Sequence, residues 1–491
     1  MSNFMNAITN EANWKKTENG RDALKSTLSE LVDIFGNILK YRNEDETAIT
    51  RKFEAAFNED PLLAMKLLFY ARNIRGLGQG ERRFFRVVCK YLADVHTDIM
   101  RKNLLLIPEF GRYDDLYTFV GTALEKDALD ILYNAYLKDM RSNGEYTFVG
   151  KWLKSVNTSS EESRKLGKLT AKHFGMDHKT YRKNLAKLRN AYGVVEAKMS
   201  RNNWNQIDYS NVPSKAMQNY RIAFSRRDPD GFQRYMTELK NGTAKVNAGA
   251  VYPYEILEKL LESSWGTIRL KKDALLEEQW KALPDYIGDK SADTLCVVDT
   301  SGSMYGRPLA IALSLGTYCA ERNKGIWHNK MITFSEHANF ITLNGDTLAS
   351  KLSGIEDICE NTNIDSVMNL ILSAAVNNRL ARKDMIHRII LISDMQFDSM
   401  VEDSETVRET FTDTWKRKFS AAGYDLPDVI YWNASGNYSD TFHGRTDEDG
   451  IGMVSGASPS LFMQVLTGEF KTPFDLMIET LNNAVFLPIR V

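Results

Sequence analysis

Three separated pieces of the chain carry oxygen donors in a pattern that can hold a cation. Asp299-Thr-Ser301-Gly-Ser303 follows the short apolar run Thr294-Leu-Cys-Val-Val298. Thr362 lies in Glu360-Asn-Thr362-Asn, just before a helix-like stretch, and Asp394 directly ends the apolar run Ile390-Leu-Ile-Ser. A hard divalent cation such as Mg²⁺ takes an octahedron of oxygens at about 2.0–2.1 Å and keeps several waters. One carboxylate and two hydroxyls spaced by two residues on a turn can supply one face of that octahedron. Thr362 and Asp394, arriving from neighbouring strand-end loops, can add two more donors.

A second chemistry is written in basic residues. Residues 151–190 hold eleven Lys and Arg against three acids, interleaved with Trp152, His173, Phe174, His178 and Tyr181. Cations neutralise phosphates and release counterions, and aromatic faces stack on unpaired bases. Lys172, Arg182, Lys183, Lys187 and Arg189 are the candidate nucleic-acid contacts of this stretch; a solvated helix face is the competing reading. Arg75, Arg82 and Arg83 flank a loop with Gly76, Gly78 and Gly80 and join the candidate set. That loop lacks the Gly-Lys-Ser/Thr ending of a P-loop, and a helix rather than a strand precedes it, so nucleotide binding is not expected there.

No catalytic constellation assembles. The seven histidines are scattered, with no His-Glu-x-x-His pattern and no nucleophile elbow. Ser301 and Ser303 have no identifiable general base, and metal ligation accounts for them better. A non-enzymatic protein is expected. Asp447-Glu-Asp449 reads as a solvated loop, and Met199 and Trp204 as packing residues.

These groups need elements to position them. The chain has 491 residues, 43% hydrophobic and 26% charged, an ordinary globular composition that excludes a disordered tail or a small disulfide scaffold. The near balance of 63 basic and 64 acidic residues hides an asymmetry: residues 290–491 carry 17 basic and 26 acidic. The basic half is therefore the one suited to a polyanion. Four cysteines without a close pair point to a reducing compartment. The first thirty residues show no secretory pattern, and no apolar run reaches about 18 residues, so a cytoplasmic protein without membrane spans is expected.

From Arg21 to about Leu283 the hydrophobic residues recur at helical spacing. Leu24, Leu28, Leu31, Ile34 and Leu39 predict one early helix; Asp60-Pro61 predicts the N-cap and first turn of another, with Gly76 past its end. After Gly288, short β-branched runs alternate with helical stretches, which indicates a doubly wound α/β sheet with ligands at the carboxyl ends of its strands. The expected organisation is an all-α helical-repeat (HEAT-like) domain over 1–289, followed by an α/β domain over 290–491.

The Asp-x-Ser-x-Ser turn, loop Thr and strand-terminal Asp together resemble the metal-ion-dependent adhesion site of von Willebrand factor A (vWA) domains, over about 200 residues and in the expected order. The resemblance implies direct coordination by Ser301 and Ser303. It implies mainly water-mediated contact from Asp299 and Asp394. Thr362 would bind directly or through water depending on state, and a partner's acidic group would take the open position. A helical array followed by such a domain resembles the Ro autoantigen (TROVE) architecture. More closely, the chain resembles a family of phage, bacterial and plant proteins with that layout. Thr17-Glu-Asn-Gly20, the Arg75–Arg83 loop, Trp152–Ser160, Tyr181–Arg189, Val212-Pro-Ser214 and Tyr431-Trp-Asn433 carry that second resemblance. The Ro resemblance implies a ribonucleoprotein component binding single-stranded RNA ends or small structured RNA. A metal-dependent adaptor that captures an acidic residue of a protein partner is the alternative, and a metal-dependent nuclease is the weakest of the three.

Overall fold

The computed structural model describes residues 3–249, 251–262, 267–288, 294–353, 355, 361–399, 408–437, 440–466 and 471–491. The expected domain boundary at 289/290 and Cys359 fall outside them. The described chain is an α-helical region plus an α/β region built on a six-stranded mixed sheet. Among the described residues no helix is long and apolar enough to cross a membrane.

Packing divides the chain differently from that boundary. One compact unit gathers 1–67, 77–79 and 251–484; the other gathers 68–76, 80–250 and 485–491. The N-terminal residues were expected to join the helical domain and the last seven the α/β domain. Both expectations are corrected, because backbone pairing and aromatic contacts fix each terminus elsewhere.

Among the described residues of the first unit, ten short strands follow in chain order: β1 (Trp14–Lys16), β2 (Asp22–Leu24), β3 (Leu261–Glu262), β4 (Arg269–Leu270), β5 (Thr294–Asp299), β6 (Lys330–Phe334), β7 (Ala338–Thr342), β8 (Arg388–Ser393), β9 (Asp428–Asn433) and β10 (Ile451–Ser455). The large sheet has the order β10-β9-β8-β5-β6-β7, parallel except for the antiparallel β6–β7 edge pair. Every residue of β5 is buried, as a continuous apolar run between two helical layers requires. Helix Arg307–Arg322 lies directly against it. At Gly316 an added Cβ would stand 2.3 Å from Val298 Cγ2, so only glycine permits that approach.

The hairpin β1–β2 belongs to this unit: Leu24 and Phe442 exchange two backbone hydrogen bonds, at 2.8 and 3.0 Å, and Leu24 enters the sheet's apolar core with Trp415 and Phe397. The single early helix expected here is therefore corrected to a strand, the helix Glu30–Gly36 and a 3₁₀ turn, Ile38–Arg42. The cause is local. Ser29 caps Val32 N, and Thr27 binds the buried Asp33 through both its amide and its hydroxyl, so the helix starts at Glu30.

The second unit is helical. Its centre holds a buried ion cluster in which Arg72 Nε and Nη2 donate to Asp115 Oδ2 at 2.9 and 2.8 Å, and Arg86 Nε donates to Oδ1 at 2.8 Å. The C-terminal segment packs here: Phe486 stacks on Phe110 at 5.7 Å, and Asn103 exchanges two hydrogen bonds with the Arg490 backbone. In the first unit the expected cap at Asp60 is present, accepting from Leu63 N at 2.8 Å, and its helix, Pro61–Arg72, runs on past the division at residue 67.

Candidate metal centre and basic face

β5 and β8 are adjacent parallel strands, so their carboxyl ends bring Asp299 and Asp394 to one edge of the sheet. Asp299 Oδ1 accepts from Ser301 N at 2.8 Å, which closes the turn, and its Oδ2 accepts from Ser393 Oγ at 2.5 Å. Ser301 Oγ and Ser303 Oγ lie 3.2 Å apart. Asp394 Oδ1 accepts from Gln396 N at 3.1 Å, while its Oδ2, fully buried, has no hydrogen-bond partner among the described residues. Thr362, also fully buried, is tied to the loop after β8: its amide donates to Asp398 Oδ2 at 2.8 Å, and Asp398 N donates to its carbonyl at 3.1 Å.

The electrostatics of this edge are those of a site short of positive charge. Burial, with the neighbouring Asp394 carboxylate adding to it, raises the Asp299 carboxyl to about 7. Burial raises Asp394 as well, against the pull of the nearby Ser303 hydroxyl. Neither forms an ion pair with a basic side chain among the described residues. Two buried carboxylates, one of them with an orphaned oxygen, beside the Ser301 and Ser303 hydroxyls fit a hard, oxygen-seeking cation. Among the described residues no group of three or more His, Cys, Asp or Glu side chains converges; the strand ends gather two carboxylates with Ser301 and Ser303, and Thr362 is tied to the loop after Asp394.

The sequence reading missed the neighbours that hold these donors. Ser393 orients Asp299, Asp398 orients Thr362, and Asn19 reaches Thr362 from the β1–β2 hairpin. Position before Asp394 could have signalled Ser393; nothing in the local sequence around Asn19 signals its partner.

Behind the site His443 is fully buried, its ring stacked on Phe397 at 4.5 Å and its Nε2 at 3.1 Å from Met395 O. Burial, with Arg21 and Lys15 acting in the same direction, lowers its pKa to about 3. The unfolded chain therefore takes up a proton near pH 6.5 that the folded one refuses until about 3. Stability falls across that window as the pH drops, by up to about 1.4 kcal/mol per pH unit. His443→Phe keeps the stack and removes this slope; urea titrations at pH 7, 6, 5 and 4 test it, and parallel slopes for both proteins would refute it.

In the helical unit, helices Glu161–His173 and His178–Ala191 are capped by Ser160 and by Asp177, which accepts from Lys179 N and Thr180 N. Their buried sides hold Gly167, Thr170, Tyr181, Leu185 and Leu188, which leaves Lys168, Lys172, Lys179, Arg182, Lys183 and Lys187 exposed. None of these six forms an ion pair among the described residues. Arg189 is different and is corrected. It turns inward, its Nε and Nη2 donating to Gly150 O and Leu153 O at 2.9 Å each and its Nη1 to Ser155 Oγ at 3.2 Å. Helical period places it on the Leu185–Leu188 side, where two carbonyls and a hydroxyl of the 150–155 loop accept from its guanidinium. Arg75 and Arg82 are exposed; Arg75 Nη2 also donates to Pro108 O at 3.2 Å, and Arg83 is half-buried. Arg112, which the sequence reading passed over, lies over the Trp152 ring at 4.7 Å.

The chain thus combines a helical unit bearing an exposed basic face with an α/β unit whose strand ends gather an Asp/Ser/Ser/Asp cluster. The model of the family described as a domain of unknown function, DUF2828, matches residues 17–174 and 146–292, and the chain belongs to that family. A second domain of unknown function, DUF7788, matches residues 293–480. The chain is similar to uncharacterized protein L728 of Acanthamoeba polyphaga mimivirus, 29% identical over 526 residues covering 98% of this chain and 89% of the viral protein.

Proposed function

We propose that this chain is a non-enzymatic RNA-binding protein, a ribonucleoprotein component of Ro-like organisation. In this reading the helical region is a HEAT-like array that binds RNA. The α/β region is a vWA-like domain that holds Mg²⁺ or another divalent cation with Asp299, Ser301, Ser303, Thr362 and Asp394. The observation that carries the RNA reading is the set of six exposed cations on two adjacent helices, none with an acidic partner among the described residues. Such a set has no packing role and suits a phosphate backbone. The vWA reading is supported by the strand order, with its antiparallel edge pair, and by the Asp/Ser/Ser/Asp cluster at the strand ends.

Purification without nuclease, followed by sequencing of retained nucleic acid, tests the proposal. A discrete RNA population is expected. Replacing Arg182, Lys183 and Lys187 together with Ala should weaken binding and flatten the log–log salt slope by about 2, at roughly 0.7 per single-strand phosphate. Unchanged affinity and slope would remove these helices from the interface.

A second reading, a metal-dependent adaptor for an acidic protein partner, draws on the partnerless Asp394 oxygen and the raised carboxyl of Asp299. A bound cation would supply there an open position for a partner's carboxylate. Partner capture lost in chelator, with RNA absent from the purified protein, would favour it.

A further inference from the structure

The tip of the β1–β2 hairpin, residues 17–21, docks on the loops that carry two of the metal-site donors. Thr17 Oγ1 donates to Phe397 O at 2.7 Å, and Glu18 N donates to Gln396 Oε1 at 2.9 Å. Asn19 Nδ2 donates to Gln396 O at 2.7 Å and to Thr362 Oγ1 at 3.3 Å. Ser399 N closes the contact on Asn19 O at 3.1 Å. Gly20, at φ +89°, makes the tight turn that Thr17 N and Arg21 O complete, and pairs with Asp398, whose carboxylate holds the Thr362 amide. Arg21, almost wholly buried, anchors the tip on Asp365 at 2.6 Å and over the Phe411 ring at 5.0 Å.

We propose that this hairpin tip is an intrachain clasp of the metal site, with Asn19 the positioning residue that sets Thr362 for the cation. The inference rests on the metal reading above. A threonine hydroxyl has two acceptor lone pairs and one proton. Asn19 takes one lone pair and leaves the other for a cation, which fixes the orientation of Oγ1 before any ion arrives. The same amide group grips the Gln396 carbonyl, two residues beyond Asp394, so a single side chain links the Thr362 loop to the Asp394 loop. Holding donors in register is what partners behind a metal's own ligands do, and their loss typically weakens metal binding 10–100-fold. Because coupling is reciprocal, the cation must in turn strengthen docking of the hairpin tip. Any event that lifts residues 17–21 would then release the metal.

Asn19 is exposed, so Asn19→Ala leaves no cavity and should fold. Calorimetric titration of the full chain with Mg²⁺ is expected to show affinity about tenfold weaker in Asn19→Ala, with thermal stability in chelator lowered only by the loss of two side-chain hydrogen bonds. Hydrogen exchange of the residue 17–21 amides should slow on adding Mg²⁺ to the wild type. Equal affinity in the variant, or exchange indifferent to Mg²⁺ in a wild type that binds it, would overturn the clasp. Tighter binding in the variant would overturn it too, since Asn19 would then compete with the cation. A wild type that binds no divalent cation would instead overturn the metal reading itself, and the clasp with it.

Discussion

On the proposed metal reading, Mg²⁺ is expected to stabilise the wild-type chain and Asp299→Asn to abolish that stabilisation. A ligand that binds only the folded state adds RT ln(1 + [L]/Kd), about 2.7 kcal/mol at a hundredfold excess over Kd. The wild type should therefore show a large rise in Tm with Mg²⁺, and the variant none. The asparagine preserves the local turn, because its carbonyl oxygen can still accept from Ser301 N. What it removes is one of two buried carboxylates that repel each other and have no basic partner among the described residues. In chelator the variant should consequently be at least as stable as the wild type, a sign that no purely structural role for Asp299 predicts. Thermal unfolding of both proteins, with Mg²⁺ and with chelator, decides the matter. An equal Mg²⁺ shift in the variant would place the cation elsewhere, and a large loss of stability in chelator would make Asp299 a structural cap.

The second large effect concerns the helical unit. Asp115→Ala should destabilise it by about 3–5 kcal/mol, because the variant leaves the Arg72 guanidinium buried without its carboxylate. The Arg72 side chain is 2% exposed, and Asp115 is fully buried between it and Arg86. Burial alone would raise the Asp115 carboxyl, yet the guanidiniums of Arg72 and Arg86 hold it below the usual carboxylate range. Its contribution is therefore complete above the unfolded-state value near 4 and is lost as the pH falls through the lower folded value. Asp98→Ala is the control: its pair with Arg101 is as short, 2.7 Å, but the Asp98 side chain is 88% exposed, so removal should change stability by less than about 1 kcal/mol. Urea unfolding followed by helical circular dichroism compares the two. Similar losses for both variants would show that burial does not set the strength of the Asp115 cluster.

Legibility from sequence followed how local each cause was. The strand endings at Asp299 and Asp394, the helix after Thr362 and the cap at Asp60 were all readable, because a buried strand and a capped helix announce themselves within a few residues. The early helix predicted across Leu24–Leu39 failed for the opposite reason. Its leucines have helical spacing, yet Leu24 pairs with Phe442, more than four hundred residues away. Arg189 is a smaller instance: composition placed it with the basic side chains around it, and only the packing of the 150–155 loop turned it inward.

What the sequence determined by itself is the set of donors and charges: two carboxylates and three hydroxyls at the ends of apolar runs, and a lysine- and arginine-rich helical stretch. Periodicity and residue chemistry are local properties, and they survive in a one-dimensional reading. Tertiary structure alone decided which groups meet. It set Asp299 beside Asp394 through the β5–β8 pairing, brought Asn19 onto Thr362, and separated the cations that face water from the one that braces a loop. Those outcomes depend on contacts between residues far apart in the chain, whose free energy is settled by burial and by the satisfaction of backbone and side-chain polar groups. No window of neighbouring residues contains that information.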